Sequence, residues 1–342
     1  MRPTVNTVAV LIASTLLATA IIPVETRAET NRVRIASTYG LAQLPGRLAY
    51  EMGFIEKHAK RLGLPDTKVT FQAVSSGIVV SDLLLSRNAD VGVGGNVPLF
   101  ALWDKTSGPQ KVRGIMSFSR GNMFLLTVDP RITSMRDFKD TDRIAMTDVR
   151  STTYSMVIQM AAAKEYGWEQ RNRYDQLTVA MGNNEALAAM LSGRMEVKSH
   201  MTILPHSSME LKSGKVRILL NSKDLLGEPY TTVASFATTR FKQENPVTYA
   251  AVVAGLEEAI DFINSNTREA AEIFIKKEPF TGSLDELVEM MQGKTADELS
   301  FKSTPNTTQL FTDFMHKSGT LKNRPTSWKD VWFENNWAKE GS

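Results

Sequence analysis

The chain has 342 residues, of which 42% are hydrophobic and 23% are charged. These ordinary values exclude a largely disordered chain, a collagen-like repeat and a membrane protein with many spans, and the length favours two domains. The formal net charge of +3 is too balanced to suggest a nucleic-acid-binding protein. The chain has no cysteine, which excludes disulfides, cysteine nucleophiles, thiolate metal sites and a lipid anchor on cysteine.

The first predicted element is a secretory signal peptide at residues 1–28. Arg2 supplies a positive charge, and an apolar run follows at 8–22. Thr26 and Ala28 occupy the −3 and −1 positions of a cleavage site after Ala28. The alternative is a membrane anchor, but a stable span needs ~20 apolar residues and this run is shorter. We therefore expect export to the periplasm and cleavage, without attachment of a lipid.

Strand-like and helix-like segments then alternate from residue 32 to residue 220, which is typical of an α/β fold. The same order of segments occurs twice, at 34–38, 69–74, 78–86 and 89–91 and again at 143–147, 176–180, 184–192 and 195–197. Any two βαβ units look somewhat alike, but the shared order and spacing favour a duplication. Parallel strands with right-handed crossovers open their loops on the carboxyl edge of a sheet, where such sheets bind ligands.

The region after residue 220 has a different character. An extended segment at 230–240 precedes a helix with Asn245 as N-cap and Pro246 as its first residue. The segments 250–264 and 267–277 are also predicted to be helical. Capping boxes that begin at Ser283 and at Thr295 predict the starts of two more helices. The chain is thus expected to end in a cluster of helices.

These segments predict two lobes and a hinge. Lobe one comprises residues 29–117 and 231–342, and lobe two comprises residues 118–230 including the hinge crossing. The extended segments 115–128 and 231–239 would connect the lobes as a two-strand hinge. Each lobe would be a mostly parallel sheet flanked by helices.

A family resemblance centres on residues 75–105, SSGIVVSDLLLSRNADVGVGGNVPLFALWDK. This run resembles the solute-binding proteins of nitrate/sulfonate/taurine-type ABC importers: a small-residue loop, a helix ending in Leu-Leu-Ser, and a strand running into Gly-Gly-x-x-Pro. Further matches lie at 132–139, 183–196 and 241–251. The resemblance implies the two-lobed type II periplasmic binding protein fold, which closes on a small ligand. Residues 198–205 depart from the family pattern, so the usual ligand is not assumed.

The candidate binding groups are helix starts that follow strands. The first N–H groups of a helix lack internal partners and carry part of a positive charge, so they bind carboxylates, sulfonates and phosphates. Ser75 and Ser76 precede a predicted helix in lobe one, and Ser151, Thr152 and Thr153 precede its counterpart in lobe two. The alternative interpretation of both clusters is ordinary N-capping.

Further candidates follow the other strands of each lobe. Tyr39 could stack on a ligand, and Asn96 offers both a donor and an acceptor. His200 occupies the equivalent place in lobe two, although a lone histidine there is more often a structural residue. The full predicted set is Thr38, Tyr39, Ser75, Ser76, Gly95, Asn96, Ser117, Ser151, Thr152, Thr153, His200 and Met201. Whether Arg120 or Arg150 contacts the ligand stays open.

These observations predict the periplasmic substrate-binding component of an ABC transporter that captures a small organic anion, a sulfonate or a carboxylate. We expect a monomer that meets a permease and ATPase complex at the inner membrane, with no cofactor, metal or nucleic acid. One alternative is a sensory binding protein that presents its ligand to a receptor. Another is an enzyme, because the chain distantly resembles pyrimidine-synthesising proteins. Those proteins use a cysteine-rich motif and a cofactor-bearing lysine, whereas this chain has no cysteine.

Overall fold

The computed structural model describes residues 29–147, 149, 152–192, 196–278 and 280–342. The predicted signal peptide at 1–28 and the candidate residues Arg150 and Ser151 lie outside these described residues. The strands are β1 (Arg32–Thr38), β2 (Lys68–Val74), β3 (Val91–Gly95), β4 (Val112–Gly121), β5 (Phe124–Thr127), β6 (Ile144–Met146), β7 (Thr178–Ala180), β8 (Ser199–Thr202), β9 (Arg217–Asn221) and β10 (Tyr230–Thr238).

The helices complete two α/β layers around these strands. They are α1 (Leu44–Glu51), α2 (Phe54–Arg61), α3 (Gly77–Leu85), α4 (Asn96–Lys105), α5 (Thr153–Tyr166), α6 (Asn183–Ser192), α7 (His206–Lys212), α8 (Ser222–Leu226), α9 (Thr239–Glu244), α10 (Pro246–Ser265), α11 (Thr267–Lys277), α12 (Leu284–Met291) and α13 (Thr308–Lys317). None of these described helices has the length and apolar composition that crossing a membrane requires.

The first sheet takes strands from two separate parts of the chain. It has five strands in the order β2-β1-β3-β10-β4. β1 is parallel to β2 and β3, and β10 is antiparallel to β3 and β4. The register places Thr38 beside Val74 and Ser37 beside Val93, so β1, β2 and β3 end at the same edge. Loops that are far apart along the chain therefore meet there.

The second sheet repeats this design. Its five strands have the order β7-β6-β8-β5-β9, with β6 parallel to β7 and β8 and with β5 antiparallel to β8 and β9. The parallel strands follow the same spatial order in both sheets, as duplication of one βαβ unit predicts. One boundary differs from the prediction, because β8 begins at Ser199 rather than at 195–197.

The chain passes between the two sheets at two adjacent points. The predicted extended segment 115–128 consists of two strands in different sheets, β4 and β5, joined at Asn122 and Met123. The backbone N–H of Met123 donates to the hydroxyl of Ser222 at 2.9 Å, and the N–H of Ser222 donates to the carbonyl of Met123 at 2.8 Å. The first crossing is thus tied to the chain that leads into the second. The exact division into lobes stays a prediction.

The helix that begins at Pro246 is capped by a distant segment. Asn245 precedes it as predicted, but its side chain makes no cap hydrogen bond and instead accepts the N–H of Thr30 at 2.9 Å. The carboxylate of Glu29 accepts the free N–H of Thr248, in the first turn, at 2.8 Å. An acidic group near the helix start also complements the helix dipole.

The two predicted capping boxes in the C-terminal region have different outcomes. Ser283 and Glu286 form one and open α12, as predicted. The helix predicted to start at Thr295 is wrong, because residues 295–298 form a turn. Glu298, which would close that capping box, instead forms an ion pair with Lys223 at 2.6 Å. A tertiary contact replaces the local one.

The C-terminal helix α13 packs against elements of both sheets. The ring of Phe311 lies 5.7 Å from that of Tyr230 in the first sheet. The ring of Phe314 meets Trp168, which follows α5, edge to face at 5.3 Å. The C-terminal segment predicted as part of lobe one therefore also contacts the helix layer of the second sheet.

Candidate functional site

Polar residues follow each parallel strand of the first sheet. Thr38 ends β1 and Tyr39 follows it, Ser75 and Ser76 follow β2, and Asn96 follows β3. Because the register ends the three strands at one edge, these residues lie on neighbouring loops. The structure thus brings the lobe-one candidates together, with the exception of Ser117.

The loop after β2 forms a capped helix start. Ser76 has an extended backbone, and its hydroxyl accepts the N–H of Val79 at 3.5 Å. This distance is at the long limit of a hydrogen bond. The other first-turn N–H groups of α3 have no partner within the helix. The N-capping interpretation of Ser76 is therefore correct, and it leaves backbone donors at this edge.

The matching loop of the second sheet opens α5 with a reciprocal pair of hydroxyl groups. Thr152 accepts the N–H of Ser155 at 3.3 Å, and Ser155 accepts the N–H of Thr152 at 3.0 Å. Serine here takes the role that glutamate usually has in a capping box. The start of α5 is thus held rigidly, with its dipole directed toward the loop.

The two edges meet at Asn96 and Thr153. The hydroxyl of Thr153 donates to the side-chain oxygen of Asn96 at 2.8 Å, across the gap between the first and second sheets. Asn96 is 0% exposed, and its side-chain nitrogen is buried with no hydrogen-bond partner among the described residues. An unpaired buried amide donor is unusual in a native structure and calls for an acceptor.

The starts of three helices lie close together around two glycines. A Cβ atom added to Gly95 would lie 3.4 Å from Thr153 Oγ1 and 3.6 Å from Pro98 in the first turn of α4. A Cβ atom on Gly77, at the start of α3, would lie 3.5 Å from the same proline. The starts of α3, α4 and α5 are therefore connected by close contacts around Gly95 and Pro98.

Two apolar side chains beside the polar loops are exposed. Tyr39 is 53% exposed and Ile78, in the first turn of α3, is 69% exposed. The neighbouring Thr38 is held in place, because its hydroxyl accepts the side-chain amide of Gln43 at 2.8 Å. Exposed large apolar residues beside a polar edge offer contact area to the organic part of a ligand.

Three further predicted site residues are buried, as Asn96 and Thr153 are, but their contacts lie within the interior, which corrects their expected placement. Ser117 is 0% exposed in β4, and its hydroxyl donates to Thr231 at 3.5 Å. Met201 is 0% exposed within the hydrophobic core. His200 is 0% exposed as well. Both Met201 and His200 lie on β8, which is paired on both sides, so their side chains point into covered faces of the sheet.

His200 has partners on both ring nitrogens. Its Nδ1 lies 2.6 Å from a carboxylate oxygen of Glu210, which is also 0% exposed, and its Nε2 lies 3.3 Å from the side-chain oxygen of Asn183. Neither nitrogen is left for a ligand in this arrangement. These contacts agree with the alternative interpretation, in which His200 is a structural residue.

His206, which was not among the predicted site residues, lies at the start of α7 beyond the carboxyl end of β8. Its Nε2 lies 2.8 Å from the side-chain oxygen of Asn184, and its Nδ1 is buried without a partner among the described residues. Burial and the neighbouring His200 lower the pKa of His206 to about 4, so the ring is neutral at pH 7. If the end of β8 had been predicted a few residues later, His206 rather than His200 would have been the candidate histidine.

Arg120 has a structural role. Its guanidinium group donates to the carbonyl of Thr304 at 3.0 Å, and its backbone forms a bridge to Ser300. Burial lowers its pKa, although the charge of Glu228 acts in the opposite direction. Arg120 therefore fastens the C-terminal segment to β4. The part of the chain that the structure describes holds no cluster of His, Asp or Glu that could bind a metal ion.

A polar cavity of about 630 Å³ lies alongside α5 and is a different space from the meeting point of the helix starts. Its lining includes Gln159 of α5, Arg171, Asp175 and Thr178. Thr178 is the first residue of β7, whereas Val149 and Ser155 line the cavity near the start of α5, so the cavity runs along α5 between the two edges of the sheet. Ligands of such sheets bind at the carboxyl edge.

Comparison with known proteins supports the fold. Neither a protein-family model nor a curated protein sequence matches the chain. The structure is similar to the nitrate-binding protein NrtA from Synechocystis PCC 6803, with a TM-score of 0.69 and 16% identity over 91% of this chain and 88% of that one. The fold is that of the periplasmic binding proteins.

Two sulfonate-binding proteins share this periplasmic binding protein fold. The alkanesulfonate-binding protein SsuA from Xanthomonas axonopodis pv. citri, solved with MOPS, has a TM-score of 0.66 and 18% identity over 89% of this chain and 99% of that one. The aliphatic sulphonate binding protein SsuA from Escherichia coli has a TM-score of 0.64 and 16% identity over 90% and 93% of the two chains. The predicted two-lobed α/β architecture is thereby confirmed.

Proposed function

We propose that this protein is the periplasmic substrate-binding component of an ABC importer, which captures a small organic anion between its lobes. The observation that carries the proposal is the contact between Thr153 and Asn96 at 2.8 Å, which joins helix starts of the two sheets beside an unpaired amide donor. The similar structures from Xanthomonas and Synechocystis are named as binding proteins for alkanesulfonate and nitrate, which supports the same class.

The chemistry of the edge favours an anion. The starts of α3 and α5 supply backbone N–H groups and the positive ends of helix dipoles, and Asn96 supplies a further donor. Such groups bind a carboxylate or sulfonate without a basic side chain. The exposed Tyr39 and Ile78 favour a ligand with an organic body over bare nitrate.

Reversible capture requires only moderate affinity. A micromolar dissociation constant corresponds to ~8 kcal/mol. A few charge-assisted hydrogen bonds of about 1.5–3 kcal/mol each supply this, less the free energy of closing the lobes. The two adjacent chain crossings near Met123 and Ser222 would act as the hinge. Reopening then delivers the anion to an inner-membrane permease and ATPase complex.

The first test is a thermal-shift screen of the mature protein against aliphatic and aromatic sulfonates, carboxylates and pyrimidine precursors. A ligand at ~100 times its dissociation constant adds ~2.7 kcal/mol of stability. With the best anion, we expect Asn96→Ala to weaken binding about 10- to 100-fold, and Ser76→Ala and Thr152→Ala about 3- to 10-fold, measured by titration calorimetry.

The matched control is Ser283→Ala, which removes an equivalent N-cap from α12. It should lose about 1 kcal/mol of stability, as Ser76→Ala does, with unchanged affinity. If no anion stabilises the protein, the proposed function fails. If all three site variants instead bind the anion as tightly as the wild type does, the helix starts do not form the binding pocket.

Closure gives a second expected result. Small-angle X-ray scattering of the mature protein should show a smaller radius of gyration at saturating anion than without it, because rotation about the crossings brings the lobes together. Ligand added to Asn96→Ala at the same concentration should produce a smaller decrease. An identical profile with and without saturating anion would contradict closure about a hinge.

A further inference from the structure

A pair of buried oxygen atoms lies at the hinge without donors. Asn122 is the first of the two residues between β4 and β5, where the chain first crosses between the sheets. Its backbone N–H donates to the carbonyl of Asp297 at 3.0 Å, and its side-chain nitrogen donates to the carbonyl of Ala296 at 3.3 Å. Its side-chain oxygen is buried and has no partner among the described residues.

Asp297 reaches from the C-terminal segment to the second lobe. It is 1% exposed, and one of its carboxylate oxygens accepts the hydroxyl of Ser207 in α7. The other oxygen is buried and accepts no hydrogen bond of normal geometry among the described residues, although the buried hydroxyl of Thr295 lies close enough to lower the pKa of the carboxyl group. Asp297 therefore connects the chain crossing at Asn122 with a helix of the second sheet.

Both unpartnered residues line one small cavity of about 10 Å³, together with Gly121, Leu204 and Thr232. Asp297 is the single charged residue of this described lining. The charged pair nearest along the chain, Lys223 with Glu298, is partly exposed. On α7, His206 is neutral at pH 7 because its pKa is lowered to about 4. Farther along α7, the buried Glu210 is paired with His200.

Asn122 and Asp297 both line this cavity, and each has a buried acceptor oxygen without a hydrogen bond of normal geometry, which is unfavourable. A single proton removes this conflict, because a protonated carboxyl group donates where a carboxylate only accepts. We propose that Asp297 and Asn122 form a proton-binding site at the hinge, in which the protonated carboxyl group of Asp297 donates to the side-chain oxygen of Asn122. The proton comes from solvent, and no other bond changes.

Burial independently favours the protonated state. It raises the pKa of Asp297 to about 6, although hydrogen bonds from Ser207, from the backbone and from Thr295 act in the opposite direction. A carboxyl group with a raised folded pKa contributes stability that is complete below its ordinary pKa near 4 and is lost as the pH rises through about 6. The hydrogen bonding through which Asp297 connects the first chain crossing to α7 is therefore most stable at acidic pH.

Asp297→Asn tests the site, because an asparagine amide donates to Asn122 and still accepts from Ser207 at every pH. We expect the melting temperature of Asp297→Asn to match that of the wild type below pH 4, with the loss of wild-type stability developing between about pH 4 and pH 6. At pH 8 it should exceed the wild-type value by about 4–8 °C. The control Asp285→Asn, at an exposed position that pairs with Arg268, should show no such pH-dependent difference.

A difference that stays constant from below pH 4 to pH 8 would overturn the proposal and indicate a bound water molecule in the cavity. A lower melting temperature of the variant at both pH values would also overturn it. If the variant does not fold, carbon-13 NMR of the aspartate carboxyl groups in the wild type decides, because one buried group should titrate near pH 6. These readouts use no ligand, so their outcome is independent of the proposed transport function.

Discussion

Replacing Trp332 by alanine is expected to destabilise the protein by about 3–5 kcal/mol. Trp332 is 0% exposed, and its indole N–H donates to the hydroxyl of Thr308 at 3.1 Å. Its ring lies against the backbone of Gly114 so closely that a Cβ atom there would be 2.2 Å from ring carbon Cε3. The neighbouring Phe333 donates its N–H to the carbonyl of Gly114 at 2.9 Å, so this contact seats the C-terminal segment on the edge strand β4.

Urea unfolding followed by circular dichroism measures this loss without relying on tryptophan fluorescence. Trp337, which is 43% exposed, provides the matched control. Trp337→Ala should cost clearly less than Trp332→Ala, because 43% of Trp337 is already in water, although its indole N–H also donates to the carbonyl of Lys329. A Trp332→Ala protein that unfolds at the wild-type urea concentration would show that the C-terminal segment contributes little to the first sheet.

The second large effect is expected for His200→Ala, at about 3–5 kcal/mol of stability. The substitution leaves Glu210 at 0% exposure without its partner, which lies at 2.6 Å in the native protein. An uncompensated charge in the interior is strongly unfavourable. Because neither ring nitrogen is free to meet a ligand, the affinity of the folded variant for the anion should stay within about twofold, which titration calorimetry can measure.

His58→Ala is the matched control for this pair. His58 also contacts a glutamate, Glu258, at 2.8 Å, but both side chains are partly exposed. Its loss should cost about 1 kcal/mol or less. If His200→Ala kept wild-type stability but bound the anion much more weakly, His200 would belong to the ligand site. The expected pattern is the reverse of that for Asn96→Ala, which should lose affinity with a smaller loss of stability.

Local patterns predicted those elements whose structure depends on residues a few positions apart. The helix predicted at 267–277 is α11, and the capping box at Ser283 opens α12 as expected. The loops after β1, β2 and β3 were also placed at one edge correctly, since parallel strands end together. Such features follow from helix period, strand composition and capping, all of which neighbouring residues determine.

Predictions from local patterns failed where a distant partner competes with a local one. Residues 295–298 form a turn in which Asp297 is buried against Ser207 and Glu298 pairs with Lys223, both from another part of the chain. His200 looked like a loop residue, yet β8 begins later than predicted and places it inside the sheet. A periodic pattern does not report which side chain a remote segment will bind.

The sequence by itself determined the α/β class, the repeated strand order and the loops that reach the carboxyl edge, because these depend on short-range spacing. Tertiary structure alone decided which of the candidate side chains face the gap. Asn96 and Thr153 meet although 57 positions separate them, and Thr248 takes its cap from Glu29 across 219 positions. Only tertiary packing, between the two sheets for the first pair and around the first sheet for the second, brings such pairs within hydrogen-bond distance, and burial then determines which polar atoms remain unpaired.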